Sequence, residues 1–377
     1  MTTLQERPDL DSSSDTVIIE PVPLHRSPVE PEPPTDLPRL IGTRTLDEKA
    51  SLLGALGASL GLVWVVYLGI FAWSGVLGFV VCWWLGFLGL YALISSLANP
   101  RPIVVERLVA ALVTSGAGVV GLALLSTLAH IFHRGWPALH HLNFYTQDMS
   151  GVRPTAPLTE GGVSHAIVGS GIEIAIAVAI ALPLGVGTAV YLTEVGGRLS
   201  RTVRTVVEAM TALPDILAGL FIYTLLIITL HWERTGITAA LALVVTIIPI
   251  IARSAEVVLR VVPAGLREAS LALGASQWQT VRRVVLPSAR SGLATALILG
   301  VARIAGETAP LLIVSGASTY FNDNPVDQQM NSLPLFIFSA VRSGQEKFIA
   351  RGYGAAALLL GLVLTLFVIT RFLARDK

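Results

Sequence analysis

The chain has 377 residues, 53% hydrophobic and only 14% charged, with 26 Lys and Arg against 25 Asp and Glu. A mean hydropathy of +0.70, with a charged share far below the quarter usual in soluble proteins, describes a polytopic membrane protein. The net charge of +1, with no basic run or aromatic platform, excludes the nucleic-acid binders, and the single Cys82 excludes an intrachain disulfide.

Residues 1–48 hold eight prolines, ten acids, four arginines and no aromatic residue. Such a segment buries too little apolar surface to offset its ordering entropy, which predicts a disordered cytosolic tail. It lacks the charged start and immediate apolar run of a signal peptide. From Ser51 onward, eight spans are long enough to cross about 30 Å of hydrocarbon. Their approximate limits are 51–73, 75–98, 107–131, 164–193, 206–230, 236–260, 288–314 and 352–374. The first two form an N-terminal hairpin, 49–104, turning at Ser74-Gly75. No strand-like alternation suggests a barrel. With both termini in the cytosol, the inward segments carry 19 of the 26 Lys and Arg, which agrees with the positive-inside rule. Two sizeable outward segments, about 132–163 and 315–351, suit a docking surface for a substrate-delivering protein, or serve as linkers and lids.

The inward segment 261–287 carries a distinct turn chemistry. Pro263 suits the first turn of a helix. Gly274 suits a left-handed helix end, and Ser276 with Gln279 forms a capping-box pattern that starts a second helix. Pro287 closes it. The expected product is a bent helix pair displaying Arg267, Glu268, Arg282 and Arg283, with Ala269 and Ala272 small enough for close packing. By turn chemistry alone, an ordinary amphipathic loop between spans is equally compatible. The only lysines are Lys49, Lys347 and Lys377, and none follows a glycine, so the chain has no phosphate-binding loop of its own.

Within the seventh span, Arg303 and Glu307 interrupt an otherwise apolar run. At 1.5 Å per residue from Ser288, Arg303 lies about 22 Å along a continuous helix, near or just beyond mid-bilayer. A charge there costs about 2.5–3.5 kcal/mol on insertion scales. Spacing i,i+4 would put both groups on one face, in the weaker orientation for helix stabilisation. Arg303 can therefore offer a planar charged fork to an oxyanion, with Glu307 holding it. The alternative is a structural ion pair against another helix. Gly306 between them permits close approach. Other polar groups within spans are Asp215, which follows Pro214 and is expected on the substrate path, and Glu173, with Arg253 and Glu256 as a possible pair.

Two of these segments carry a family resemblance. Glu268-Ala269-Ser270, Gly274, Val284 and Leu286-Pro287 are similar to the coupling loop of ABC importer permeases, with Ser270 and Val284 in place of an alanine and an isoleucine. The run Arg303-Ile304-Ala305-Gly306-Glu307-Thr308-Ala309-Pro310-Leu311 resembles the signature of the phosphate-specific, PstA-type permeases. The likeness covers residues 105–377. It implies an all-α, polytopic transmembrane bundle of the ABC type I importer permease (MetI-like) fold, to which the first helix pair is an addition. It further implies a non-catalytic cell-membrane subunit moving inorganic phosphate inward. Its implied partners are a second related permease, an ATPase dimer that holds ATP and Mg, and an extracytoplasmic phosphate-binding protein. No cofactor is expected on this chain. Arg303 and Glu307 are the implied substrate-path residues, and Arg267, Glu268, Ala269, Ser270, Gly274, Leu286 and Pro287 the ATPase-coupling ones. Asp215 stands where the family usually has serine, an unexpected acid beside an anion path. Rival expectations are a sulfate or molybdate permease, a proton-coupled secondary transporter using Glu307, and a phosphate sensor acting through the tail.

Overall fold

The computed structural model describes residues 46–71 and 73–375. The expected tail lies outside them, except for its last three residues, which open the first helix. The described residues are overwhelmingly helical and contain no strand. The chain divides into two compact units, up to Ala117 and from Gly118 onward.

In the first unit, α1 (Leu46–Trp64) continues in a wider turn over Val65–Ile70 and pairs with α2 (Val76–Ala98). The hairpin turns where the sequence places it: Gly75 takes a φ of +129°, and the Tyr67 hydroxyl donates to the Gly75 carbonyl at 3.1 Å. Its small core joins Ala55, Phe87 and Tyr91 to Leu108 and Ala111 of α3 (Arg101–Leu139). At 39 residues α3 is much longer than the expected 107–131 span. Its flanking residues keep helical character beyond the apolar window, which hydropathy does not register.

The second unit holds the remainder of α3, α4 (Asn143–Thr146), α5 (Ser164–Val190), α6 (Ser200–Ala212), α7 (Asp215–Ile222) and α8 (Gly236–Val261). It continues through α9 (Ala264–Ala272), α10 (Gln277–Thr280), α11 (Leu286–Ser288), α12 (Arg290–Ala305), α13 (Ala309–Val314), α14 (Leu333–Arg342) and α15 (Glu346–Arg375). Packing centres on α5 and α8. Ala177, Ala181, Gly185 and Ala189 recur every four residues along α5 and are buried, so the two backbones approach closely. Leu243, Ile247 and Ile251 of α8 fill that face and also meet Ile304 of α12 and Leu311 of α13. Without a water-driven force between helices in lipid, this small-against-large fit supplies the association.

Among the described residues six helices are long and apolar enough to span a membrane, or up to eight if each bent pair counts as one span. Two helix breaks correct the sequence expectation. The expected span 206–230 is broken at Leu213-Pro214, where Ser200–Ala212 and Asp215–Thr229 meet at 104°. Proline lacks the N–H and disfavours helical backbone at the residue before it; Leu213 is accordingly extended, with ψ of 132°. The expected span 288–314 is likewise not one helix: α12 ends at Ala305, and α13 begins at Ala309 with Pro310 in its first turn.

Candidate functional site

Both helix breaks converge on one place. Pro214 ends the extended stretch and sets Asp215 as the first residue of α7, while Arg303 occupies the last turn of α12. An Arg303 guanidinium nitrogen donates to the Asp215 carboxylate at 2.7 Å. Because α12 ends two residues earlier, Glu307 does not sit one turn above Arg303 on a shared helix face. The expected i,i+4 pair is thus not what holds the guanidinium; Asp215, 88 positions away in sequence, does. Glu307 is half-buried in the link to α13. A Cβ at Gly306 would meet nothing within 4 Å, so the space beside its backbone is open.

Asp215 and Arg303 line a cavity of about 380 Å³ with Met210, Thr211, Thr246 and Pro249 among its walls. Arg303 remains 52% exposed there. Of its apolar lining residues Leu213 and Leu299 are exposed, and along α7 Ile216, Leu217, Leu220 and Phe221 are exposed as well. The recess is thus charged, with exposed apolar side chains at its edge. On the far side, Gly219 of α7 lies so close to α13 that a Cβ would sit 2.6 Å from the Pro310 Cα. Any side chain there would push α7 off α13.

A second constellation lies in the segment after α8. Ser276 Oγ accepts from the Gln279 N–H while Gln279 Oε1 accepts from the Ser276 N–H, and Gly274 has a φ of +83°. The two short helices α9 and α10 are thereby set at a sharp elbow. Ser270 of α9 is hydrogen-bonded to Thr280 of α10, hydroxyl to hydroxyl, at 2.9 Å. Arg267 turns inward. It donates to both oxygens of Glu194, at 2.8–3.1 Å, and to the carbonyls of Val262 and Leu259 at 2.6 and 2.8 Å. The Gln277 amide also donates to the Glu194 carbonyl. Glu194 lies in the wider turn Tyr191–Val195 that continues α5, so the elbow is tied to the end of the unit's central helix. Glu268, Ala269, Gly274 and Pro287 are exposed and Leu286 half-buried. No residue of α9 is buried, and Leu266, Leu271, Leu273 and Trp278 present apolar side chains to the outside.

Residues 181–376 match the family described as the binding-protein-dependent transport system inner membrane component. The chain belongs to this family. It is 39% identical over 237 residues to phosphate transport system permease protein PstA 1 of Mycobacterium tuberculosis (strain ATCC 25618 / H37Rv), covering 63% of this chain and 76% of that protein. PstA of Haemophilus influenzae (strain ATCC 51907 / DSM 11121 / KW20 / Rd) is 32% identical over 271 residues, covering 69% and 93%. Inward-facing structures of the MetNI methionine ABC transporter align at 25% identity and a TM-score of 0.46, over 57% of this chain and 93% of theirs. The family and its relatives make the chain a PstA-type permease, an inner-membrane component with the all-α ABC type I importer fold.

Within this permease the other ionisable groups fall differently from the sequence expectation. Arg253 and Glu256 do not pair with each other. Arg253 meets Glu208 of α6 at 3.2 Å, whereas Glu256 takes Arg204 at 2.8 Å and Arg260 at 2.6 Å. Arg204 and Glu208 belong to α6, which the bend at Pro214 lays beside the C-terminal half of α8, whereas Arg260 lies one turn further along α8 itself. Glu194 and Thr280 were not singled out as partners of the elbow. Their signal was available: an acid at a span's inner end, and a hydroxyl ten positions after Ser270. Among the described residues, no group of His, Cys, Asp and Glu converges so as to hold a metal ion.

Proposed function

We propose that this chain is the transmembrane permease subunit of an ATP-driven importer that moves inorganic phosphate into the cell by alternating access. The observation that carries the reading is the Arg303–Asp215 contact in a 380 Å³ recess with exposed apolar side chains at its edge. A carboxylate and a phosphate present the same paired oxygens to a guanidinium. Asp215 therefore stands where an oxyanion would bind, and a phosphate entering the recess takes over the fork as Asp215 withdraws toward Glu307. The named phosphate permeases among the relatives support the choice of anion.

A second, related permease closes the recess, covering Leu217, Leu220, Phe221 and Leu299. An extracytoplasmic phosphate-binding protein delivers the anion to the outward segments. The exposed apolar elbow docks into one copy of an ATPase dimer, which alone carries ATP and Mg. Its closure displaces α9 and α10, and the Arg267–Glu194 contact passes that displacement to α5. From α5 the movement reaches α8, whose Val245, Thr246, Pro249 and Ile250 line the recess. Only a difference in ATPase contacts between the inward-open and outward-open states can drive the exchange.

Radiolabelled phosphate uptake by the purified four-subunit assembly in vesicles tests this. Uptake should require hydrolysable ATP, and Arg303→Glu should abolish it while the complex still assembles. Normal uptake by Arg303→Glu refutes the role of the recess. Equal competition by sulfate or molybdate refutes the choice of anion, and uptake driven by a pH gradient without the ATPase refutes the choice of energy source.

A further inference from the structure

Glu173 is 1% exposed, lies in the middle of α5, and among the described residues has no cation partner. Its neighbours instead form a short hydrogen-bond chain. Glu173 Oε1 is 3.1 Å from the Ser315 hydroxyl, and that hydroxyl is 2.5 Å from the Met330 carbonyl oxygen. Glu173 Oε2 has no partner.

The protons in this chain can be counted. A serine hydroxyl carries one hydrogen, and a backbone carbonyl carries none. Two oxygens 2.5 Å apart require a hydrogen between them, at the short end of the O–H···O range, so the Ser315 proton lies toward Met330. The Glu173–Ser315 contact then has no hydrogen unless the carboxyl supplies it. An ionised Glu173 would face the lone pairs of Ser315 from inside the membrane core, with no cation and one oxygen unpaired. Intramembrane charge without a partner is strongly unfavourable.

We infer that Glu173 is a protonated carboxylic acid that donates to Ser315, and that this relay is a latch positioning α13 beside the substrate recess. Ser315 follows the last residue of α13, and Met330 begins the return of the outward segment to the core. The same face of α5 holds that return at two further points. Ser170 Oγ accepts from the Leu333 N–H at 2.7 Å, and Gly169 leaves no room for a Cβ against the Asn331 carbonyl. On its other side α13 is pressed against α7 at Gly219–Pro310. The segment carrying Glu307 is thus clamped between α7, which begins with Asp215, and the Glu173 relay. Glu173 touches no substrate in this arrangement; it is a positioning residue, and its proton is what lets a carboxyl sit there.

The inference rests on the recess being the transport path, and two readouts separate it from that reading. In the assembled complex, Glu173→Gln keeps a donor to Ser315 and should transport phosphate within about twofold of the natural chain. Glu173→Ala, lacking the donor, should lose about tenfold or more, the effect of one buried hydrogen bond left unmade. Infrared spectroscopy of the complex should show a protonated-carboxyl C=O stretch that vanishes in Glu173→Gln and is independent of transport. A missing band, a Glu173→Gln variant as impaired as Glu173→Ala, or a fully active Glu173→Ala each overturns the latch. Failure of the natural complex to move phosphate, with the band present, overturns only the reading of its substrate.

Discussion

Two of the arginine–carboxylate pairs in the second unit are made by the same chemistry and held in opposite ways. At the elbow, Arg267 makes five hydrogen bonds, three to Glu194 and two to the carbonyls of Val262 and Leu259. Its side chain is 23% exposed and that of Glu194 only 7%. In the recess, Arg303 makes a single contact with Asp215, and the two side chains are 52% and 27% exposed. The first pair is over-determined: losing any one bond leaves the guanidinium fixed. The second leaves most of the fork's donors unused and open to the cavity. A guanidinium with every donor engaged is a strut, and one with a single partner is a site. The sequence marks Arg303 as a charge in an apolar run and Arg267 as part of a polar loop, but the partners that make one a strut and the other a site are tertiary.

The largest expected effect breaks the strut. Removing one member of a buried pair leaves the other unpaired and costs about 3–5 kcal/mol. Arg267→Ala should therefore lower the thermal midpoint of the complex and weaken ATPase retention, because Glu194 and two carbonyls lose their donors at once. If Arg267→Ala melts and copurifies with the ATPase as the natural chain does, the elbow is not anchored through Glu194. Arg303→Ala is the matching test in the recess. A solvent-open single contact is worth about 0–1 kcal/mol, so stability should hardly change. Transport should fall by about tenfold to a hundredfold, the loss of a charge-assisted contact to the anion of roughly 1.5–3 kcal/mol. An Arg303→Ala chain that unfolds, or that transports normally, would erase the distinction between the two pairs.

How far this architecture could be read from sequence follows from where each signal resides. The spans are legible because twenty apolar residues mean the same thing wherever they occur. The elbow is legible because its turn chemistry is local: Gly274, Ser276 and Gln279 fix φ and the cap within a few residues. The recess was only half legible. Arg303, Glu307 and Asp215 stand out as charges in apolar runs, but treating 206–230 and 288–314 as continuous helices gave Arg303 the wrong partner. A hydropathy window averages across a break, and backbone freed inside a membrane is tolerated only where other protein groups satisfy it. Whether they do is a tertiary fact. Pro214 and Pro310 were the available warnings, since proline favours a helix start over a helix interior. The charged contacts of Arg253 and Glu256 escape notice for a related reason: Glu208 and Arg204 sit on α6, brought alongside by a bend that the averages smooth away.

The smallest effect probes the elbow where this chain departs from its family's pattern. Ser270 occupies a position the pattern gives to alanine, and its hydroxyl bridges α9 to Thr280 of α10 at 2.9 Å. A hydrogen bond between partly buried hydroxyls contributes about 0.5–1.5 kcal/mol. Ser270→Ala restores the smaller residue, leaves the Arg267–Glu194 strut intact, and strands only a Thr280 hydroxyl that remains next to other polar groups. The expected result is a loss of at most about 1 kcal/mol in stability, with ATP-dependent uptake close to that of the natural chain. Both helices of the elbow would still be tied to α5, α9 through Arg267 and α10 through Gln277. A large loss of coupling with little loss of stability would reverse the ranking of contacts. It would mean that force crosses the elbow from α10 to α9 through the serine, and that the anchored arginine only holds the base still.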